Sequence, residues 1–150
     1  MAKFIFRFDS FLTIKEKIEE QKKQAYGKAV QQLEADREIL RSLEQKQRGV
    51  IDRLKQIISE GVSPKEIERH NTFISHLKIL ILTQKETIEI SKKIAEEKRE
   101  ELVESMKELK MYETLKEKDL ETFKEEQKII EGKIVDEVVS YKFQNRNTEV

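Results

Sequence analysis

Apolar residues recur along this chain at alternating spacings of three and four, the spacing of a coiled-coil seam. A first series runs from Ile18 to Ile57, and Lys22, Asp36 and Gln47 interrupt it. The second series comprises Ile67, Ile74, Leu77, Ile81, Ile88, Ala95, Leu102, Met106, Leu109, Leu120, Phe123, Ile130, Ile134, Val138 and Tyr141. Because each series forms one narrow stripe on a helix, the pattern predicts two long helices that pack along their seams.

A single strong helix stop and restart separates the two series. Gly61 can take the left-handed conformation that ends a helix, and Pro64 suits the first position of the next one. Ser63 and Glu66 have the spacing of a capping box. The sequence therefore predicts helix 1 at about 9–59, a turn at 60–64 and helix 2 at about 65–143. Such a short turn makes the helices antiparallel neighbours, so we expect an all-α, two-helix coiled-coil hairpin that forms one domain over 1–150.

The two predicted helices are unequal in length. With the turn centred near residue 62, residue i faces about residue 124 minus i, which places Phe4 opposite Leu120. The end of helix 2 should then overhang helix 1 by roughly 30 to 40 Å, at about 1.5 Å per residue. This overhang is rich in apolar residues, and the first 12 residues contain four phenylalanines. Exposed apolar surface of that extent normally marks an interaction site.

A second apolar excess lies just after the turn, in residues 73–82. A seam uses two positions in seven, whereas apolar residues here cover most of the helix circumference. Two interpretations remain open at this point. The excess either thickens the core against helix 1 or forms a second surface for a partner.

The composition of the chain argues against several classes of protein function. The chain is 37% hydrophobic and 40% charged, with 30 basic and 30 acidic residues. This balance argues against nucleic acid as a partner, because phosphate binding needs a basic excess. No run of apolar residues is long enough to insert in a membrane, and the start of the chain does not have the pattern of a signal peptide. We therefore expect a cytoplasmic protein.

Residues suited to catalysis or to metal and cofactor binding are scarce. His70 and His76 are six positions apart, so they do not share a helix face, and the chain has no cysteine. No glycine-rich phosphate loop or nucleophile motif is present, and a two-helix rod offers no concave pocket. The sequence therefore predicts a protein that binds other proteins and is not an enzyme, with no cofactor, metal or catalytic residue.

Both ends of the chain resemble a known family. The opening reads Phe4-x-Phe6-Arg7-Phe8-x-x-Phe11-Leu12, and the close reads Lys133-x-x-Asp136-Glu137-x-x-x-Tyr141-x-Phe143. Together with the length and the single central turn, these motifs resemble the flagellar FliJ family, the small coiled-coil component of the type III export apparatus. The resemblance spans nearly the whole chain.

The resemblance implies a stalk, similar to the rotary ATPase γ subunit, that enters the hexameric export ATPase ring and links it to the membrane protein of the export gate. It implies that the stalk promotes the assembly and activity of the ring at the inner face of the membrane, at the flagellar base. Export chaperones are further expected partners. The ring-binding residues would be Phe4, Phe8, Phe11, Phe123, Ile130, Ile134, Val138 and Tyr141. The gate-binding residues would be Leu43, Val50, Phe73, Leu77 and Leu80.

Three other functions compete with this reading. A structural rod could homodimerise through the same overhang. A stalk or chaperone-escort protein of an injectisome would have much the same composition. A prefoldin-like holdase also uses coiled-coil arms, but it needs β-hairpins for which residues 60–65 leave no room.

Overall fold

The computed structural model describes residues 2–148, and the predicted domain ends Met1 and Val150 lie outside that range. Two antiparallel helices pack against each other: α1 spans Asp9–Glu60 and α2 spans Pro64–Thr148. No strand forms within residues 2–148. The all-α hairpin with a longer second helix is thus confirmed. Whether the chain is one domain stays a prediction, because its contacts divide into two units.

The first unit joins the described residues up to Glu19 with those from Ser105 onward, and the second unit is Glu20–Glu104. Each unit contains a segment of α1 packed on a segment of α2. In the first unit, Lys15 pairs with Glu108 at 2.7 Å and Lys116 pairs with Asp9 at 3.6 Å. In the second, Lys22 pairs with Glu101 at 3.3 Å. These pairings confirm the predicted register, in which residue i faces about residue 124 minus i.

The turn between the helices lies in the second unit, and its backbone has the conformation that its residues favour. Gly61 has a φ of 85°, a left-handed value that other residues adopt only with strain. The amides of Glu66 and Ile67 donate to the carbonyl of Ser63, at 3.1 and 3.3 Å. Ser63 therefore occupies the N-cap position of α2, where its carbonyl accepts the first bonds of the helix, and its hydroxyl does not make the bond of the expected capping box.

In the second unit, the core is a stripe of side chains between the helices. Leu77 is its most deeply buried member, at 2% exposure, and Leu54, Ile81 and Ile88 are also buried. One predicted seam position is wrong. Ser105 is buried and Met106 is half exposed, because the three-four spacing continues from Leu102 through 105, although the more apolar residue stands at 106.

Asp36 is a buried carboxylate in the middle of this apolar stripe, at 5% exposure. Its Oδ2 accepts a hydrogen bond from Ser91 Oγ at 2.5 Å, and its Oδ1 accepts one from Gln32 Nε2 at 3.1 Å. Its backbone carbonyl accepts a bond from Gln84 Nε2 at 2.8 Å. Within residues 2–148, no buried side-chain polar atom lacks a partner. This polar layer satisfies itself only when Asp36 is level with Ser91, so it selects one register.

We expect Gly61→Ala to lower the free energy of unfolding by about 1–2 kcal/mol, because the added Cβ is strained at a left-handed φ. Gly27→Ala is the matched control. Gly27 lies inside α1 with nothing within 4 Å of an added Cβ, so alanine there should raise stability by up to about 1 kcal/mol. Urea unfolding followed by circular dichroism measures both values. If both substitutions changed the free energy of unfolding in the same direction, the role of Gly61 in the turn would be contradicted.

We expect Asp36→Ala and Ser91→Ala to be coupled in a double-mutant cycle by about 1–2 kcal/mol, because each variant removes the same charge-assisted hydrogen bond. The exposed pair Glu89 and Lys92, whose charged atoms are 3.3 Å apart on one helix, should couple by less than about 0.5 kcal/mol. Additive effects at 36 and 91 would show that the polar layer does not act as a unit.

Candidate functional site

Aromatic side chains cluster at the N-terminal end of the first unit. Phe4 contacts Phe123 of α2, with ring centroids 5.5 Å apart, and Phe11 stacks on Tyr112 at 6.3 Å with an angle of 10° between the rings. The ring centroids of Phe8 and Phe11 are 6.2 Å apart. These five residues are referred to below as the aromatic cluster. Edge and stacked arrangements of this kind add to the stability that burial alone provides.

The residues before α1 are not helical, and they fold back onto α2. A turn closes where the Asp9 amide donates to the Phe6 carbonyl at 3.2 Å. It turns Phe6 inward, and Phe6 and Leu12 are both only 5% exposed. From the sequence, the whole apolar N-terminal segment is expected to be available for partners. The structure instead assigns these two residues to the core, and it extends the cover on α2 from Leu120 to Phe123.

Beyond the aromatic cluster, α2 continues without cover from α1. Every residue of 128–148 is exposed, and this range is called the C-terminal segment below. Four of the predicted ring-binding residues continue the seam along one face of this segment, with exposures from 48% to 66%: Ile130, Ile134, Val138 and Tyr141. The segment therefore presents, within this unit, a seam that has no second helix.

A second apolar face lies on the other side of the C-terminal segment. At about 100° per residue, Val139 and Phe143 lie roughly opposite Ile134 and Tyr141, and Val135 lies between the two faces. The exposures of Val135, Val139 and Phe143 are 59%, 59% and 66%. These three residues are not among the predicted ring-binding residues. A seam search follows one stripe, whereas the second face becomes evident only when residues between the seam positions are also placed around the helix.

The predicted gate-binding residues all lie in the second unit, but they differ in accessibility. Phe73 and Leu80 are 40% and 38% exposed, whereas Leu77 is almost fully buried. Leu43 and Val50, on α1, are half-buried. The structure thus resolves the apolar excess of residues 73–82 into a core stripe and an exposed remainder. Of the five predicted gate-binding residues, Phe73 and Leu80 offer the most surface to a partner without a change in the hairpin.

Lys46 of α1 borders this exposed remainder. Its Nζ lies 5.9 Å from the centroid of the Phe73 ring, which is a cation–π distance. No seam rule predicts this contact, because both residues stand one position before a seam residue. The register could nevertheless have indicated the contact. Gln47 and Ile74 roughly face each other across the seam, and Lys46 and Phe73 each stand one position before one of them.

Cross-helix ion pairs flank the seam in both units. Hydrogen bonding to Glu108 raises the pKa of Lys15 above its ordinary value, despite partial desolvation. A hydrogen bond from Lys22 lowers the pKa of Glu101, and the charges of Lys22 and Lys98 act in the same direction. Both pairs are well exposed to solvent, so they fix alignment more than they add stability.

The described residues offer little for chemistry other than protein binding. Within 2–148, no group of three His, Cys, Asp or Glu side chains is placed to hold a metal ion. Over the same range, neither helix includes a stretch long and apolar enough to cross a membrane. What the surface does offer is apolar side chains on helical faces, which bind other proteins. Whether each predicted residue binds the ring or the gate stays a prediction.

Comparison with known proteins gives the family and the fold. The family model described as "Flagellar FliJ protein" matches residues 4–148. Among solved structures, the chain is similar to a protein described as a YscO homolog, CT670, from Chlamydia trachomatis. The two share 20% sequence identity with a TM-score of 0.66, and the match covers 99% of this chain and 100% of that one. No curated protein matches the chain.

The family match spans nearly every described residue and includes both terminal motifs that the sequence analysis singled out. The structural similarity extends over the same length and shows the same helical fold. The chain therefore belongs to the flagellar FliJ family, whose members are non-catalytic components of the type III export apparatus.

Proposed function

We propose that this protein is the stalk of a hexameric export ATPase, and that its first unit inserts in the central hole of the ring. The observation that carries the proposal is the C-terminal segment, which is exposed throughout and apolar on two opposite faces. A helix that docks on one partner surface needs only one apolar face. A rod inside a ring meets protein on all sides, so two faces suit it.

The aromatic cluster holds in place the part of α2 from which the C-terminal segment extends. Phe4 and Phe123 hold the residues before α1 against α2 immediately before the C-terminal segment begins. Phe11 remains 53% exposed although it stacks on Tyr112, so the cluster also offers apolar surface. Rigid aromatic side chains of this kind are typical anchors of protein interfaces, because they bury much area at a low cost in conformational entropy.

A stalk acts on a ring by differential contact. Side chains that pack better against one conformation of an ATPase subunit than against another shift the population toward the first. The bound stalk would thereby favour the assembled ring and bias its hydrolysis cycle, while the stalk itself binds no nucleotide. This role needs no catalytic residue in the chain. It needs only apolar contacts whose strength differs between the conformations of the ring.

The second unit would bind the export gate. Phe73 and Leu80 are the exposed members of the proposed gate surface, while Leu43 and Val50 are half-buried beside them. Leu77 would act indirectly, by holding this part of α2 against α1. The gate component, and export chaperones as further partners, would hold the protein at the inner face of the membrane at the flagellar base.

Two rival functions keep a specific observation in their favour. The similarity to the YscO homolog favours an injectisome as the secretion system, with the same stalk or a chaperone-escort role. The exposed seam of the C-terminal segment could instead pair with a second copy in a structural homodimer. Pull-down with each export ATPase of the cell separates the two systems. Sedimentation of the purified chain detects the dimer.

We expect the purified chain to raise ATP hydrolysis by its cognate export ATPase, and we expect Ile134→Asp with Val138→Asp to reduce the rate to that of the ATPase alone. Two carboxylates on an apolar contact face would have to lose their hydration on binding. Deletion after Gln127 should have the same effect, since residues 128–148 are all exposed and the contact of Phe4 with Phe123 is left intact.

Lys133→Gln is the matched control for these variants, because it changes an exposed polar residue of the same segment. It should keep the stimulation. The variants should all retain the helical circular dichroism signal of the parent, in proportion to their length. Full stimulation by the chain that ends at Gln127 would exclude insertion of the C-terminal segment in the ring.

We expect Phe73→Ala combined with Leu80→Ala to weaken binding to the cytoplasmic part of the gate protein by about 2 kcal/mol or more, as loss of apolar anchors does at other interfaces. Ile58→Ala is the control, because Ile58 is also near the turn and is 50% exposed. Isothermal titration calorimetry measures the affinities. A gate protein that binds the double variant as tightly as the parent would remove Phe73 and Leu80 from the gate surface.

A further inference from the structure

We infer that one edge of the second unit is a docking groove for a third α-helix, supplied by a partner protein and bearing acidic residues along its flank. The inference deepens the proposed function and rests on it at Phe73 and Leu80, which belong to both surfaces. Beyond the proposed function, it specifies that the partner contributes an α-helix with acidic residues, and that the surface which binds this helix continues along α2 as far as Ile94. This edge is called the basic edge below.

The basic edge begins with a second seam on α2. Four exposed apolar residues each stand one position before a residue of the core stripe: Phe73, Leu80, Ile90 and Ile94. Their exposures run from 38% to 60%. Their spacings continue in threes and fours when His76, Thr83 and Thr87 are included. The series covers 73–94, about 32 Å of helix, and it has the periodicity with which one helix packs on another.

The two threonines within this second seam do not make it polar. Thr83 Oγ1 donates to the carbonyl of Ile79 at 3.0 Å, and Thr87 Oγ1 donates to the carbonyl of Thr83 at 3.1 Å. Each hydroxyl therefore already has a partner within its own helix. A docked helix would not have to replace hydrogen bonds to water at these positions. The second seam can therefore be covered by apolar side chains at its threonine positions, and His76 is the polar position within it.

The neighbouring flank of α1 is free of acidic residues. The positions one before its own seam carry these residues: Lys28, Gln32, Ala35, Ile39, Ser42, Lys46, Gly49 and Arg53. The contact of Lys46 with the Phe73 ring shows that this flank and the second seam border the same edge. Ile39 is seven residues from Lys46, on the same helix face, and it is 49% exposed. The groove therefore has an apolar floor and a basic rim.

In the described part of the chain, the cations of the basic edge have no acidic partner, whereas several of those on the opposite edge are paired. On the opposite edge, Arg41 pairs with Glu34 at 2.9 Å, and Lys92 pairs with Glu89 at 3.3 Å. Among the described residues, Lys28, Lys46 and Arg53 form no ion pair with an acidic side chain. A helix with Glu or Asp on its flank would supply the missing partners and would be oriented by them.

This charge pattern selects a partner helix over a second copy of the chain. Two basic edges brought together would place Lys46 and Arg53 near their own counterparts, which is unfavourable. The groove is also continuous with the seam between α1 and α2, so a third helix would extend an interface that already exists. The arrangement would be a three-stranded coiled coil over residues 73–94 of α2.

Two synthetic helical peptides of about three heptads test the inference, identical in their Leu and Ile seam and carrying either Glu or Lys at the flanking positions. With the full chain in fluorescence anisotropy, we expect the Glu peptide to bind about ten-fold tighter than the Lys peptide, with the difference reduced at high salt. Ile90→Ser combined with Ile94→Ser should weaken the Glu peptide about ten-fold. Leu82→Ser, at an equally exposed position of 62% on the opposite edge, should leave binding unchanged.

Lys46→Glu combined with Arg53→Glu gives an independent test, because it should reverse the preference in favour of the Lys peptide while the apolar floor remains. Equal binding of the two peptides, no binding of either, or loss of binding on Leu82→Ser would each overturn the inference. A dimer that Ile94→Asp dissociates would also overturn it, by identifying a second copy as the occupant.

Binding of the gate protein, compared with binding of the Glu peptide, distinguishes this inference from the proposed function. If the gate protein binds through Phe73 and Leu80 while the Glu peptide does not bind, the docking groove fails and the gate surface stands. If the Glu peptide binds at Ile90 and Ile94 while the gate protein does not bind the chain, the groove stands and the gate assignment fails.

Discussion

The seam between α1 and α2 is the interaction on which the rest of this structure depends. Two helices that pack along one stripe can bury only that stripe, so the core stays narrow and few side chains reach the burial of Leu77. Any further apolar face on either helix must remain exposed. In a chain with 40% charged residues, such faces are costly in solubility and are expected only where a partner covers them.

The exposed apolar surface takes two forms, and the difference has functional meaning. In the C-terminal segment the apolar residues lie on opposite faces, and α1 covers neither of them. In the second unit they form a continuous series along one edge, directly beside the core stripe, while Leu82 is exposed on the opposite edge. The first pattern suits a rod surrounded by protein. The second suits one added helix, because a groove between two packed helices accepts a third along a single line.

Charge contributes alignment more than stability. The cross-helix pairs of Lys15 with Glu108 and Lys22 with Glu101 are exposed, so solvent and salt weaken them. They nevertheless agree with the register that Gly61 and the polar layer around Asp36 select. Three separate devices therefore specify one alignment. Two helices packed along one seam need this redundancy, because after a shift of one helix by one heptad most apolar seam residues would still face apolar residues.

The sequence by itself determined the two helices, the turn at Gly61, the antiparallel register and the exposure of the C-terminal segment, because each follows from local periodicity and from the spacing between turn and ends. Only the tertiary structure decided that Phe6 and Leu12 are core residues, that Ser105 replaces Met106 in the seam, and which edge Lys46 shares with Phe73. These outcomes depend on how a non-helical segment folds back and on the rotation of each helix about its own axis. A pattern of apolar letters fixes such a rotation only to about one residue, and one residue, at about 100°, separates a buried side chain from a surface that binds a partner.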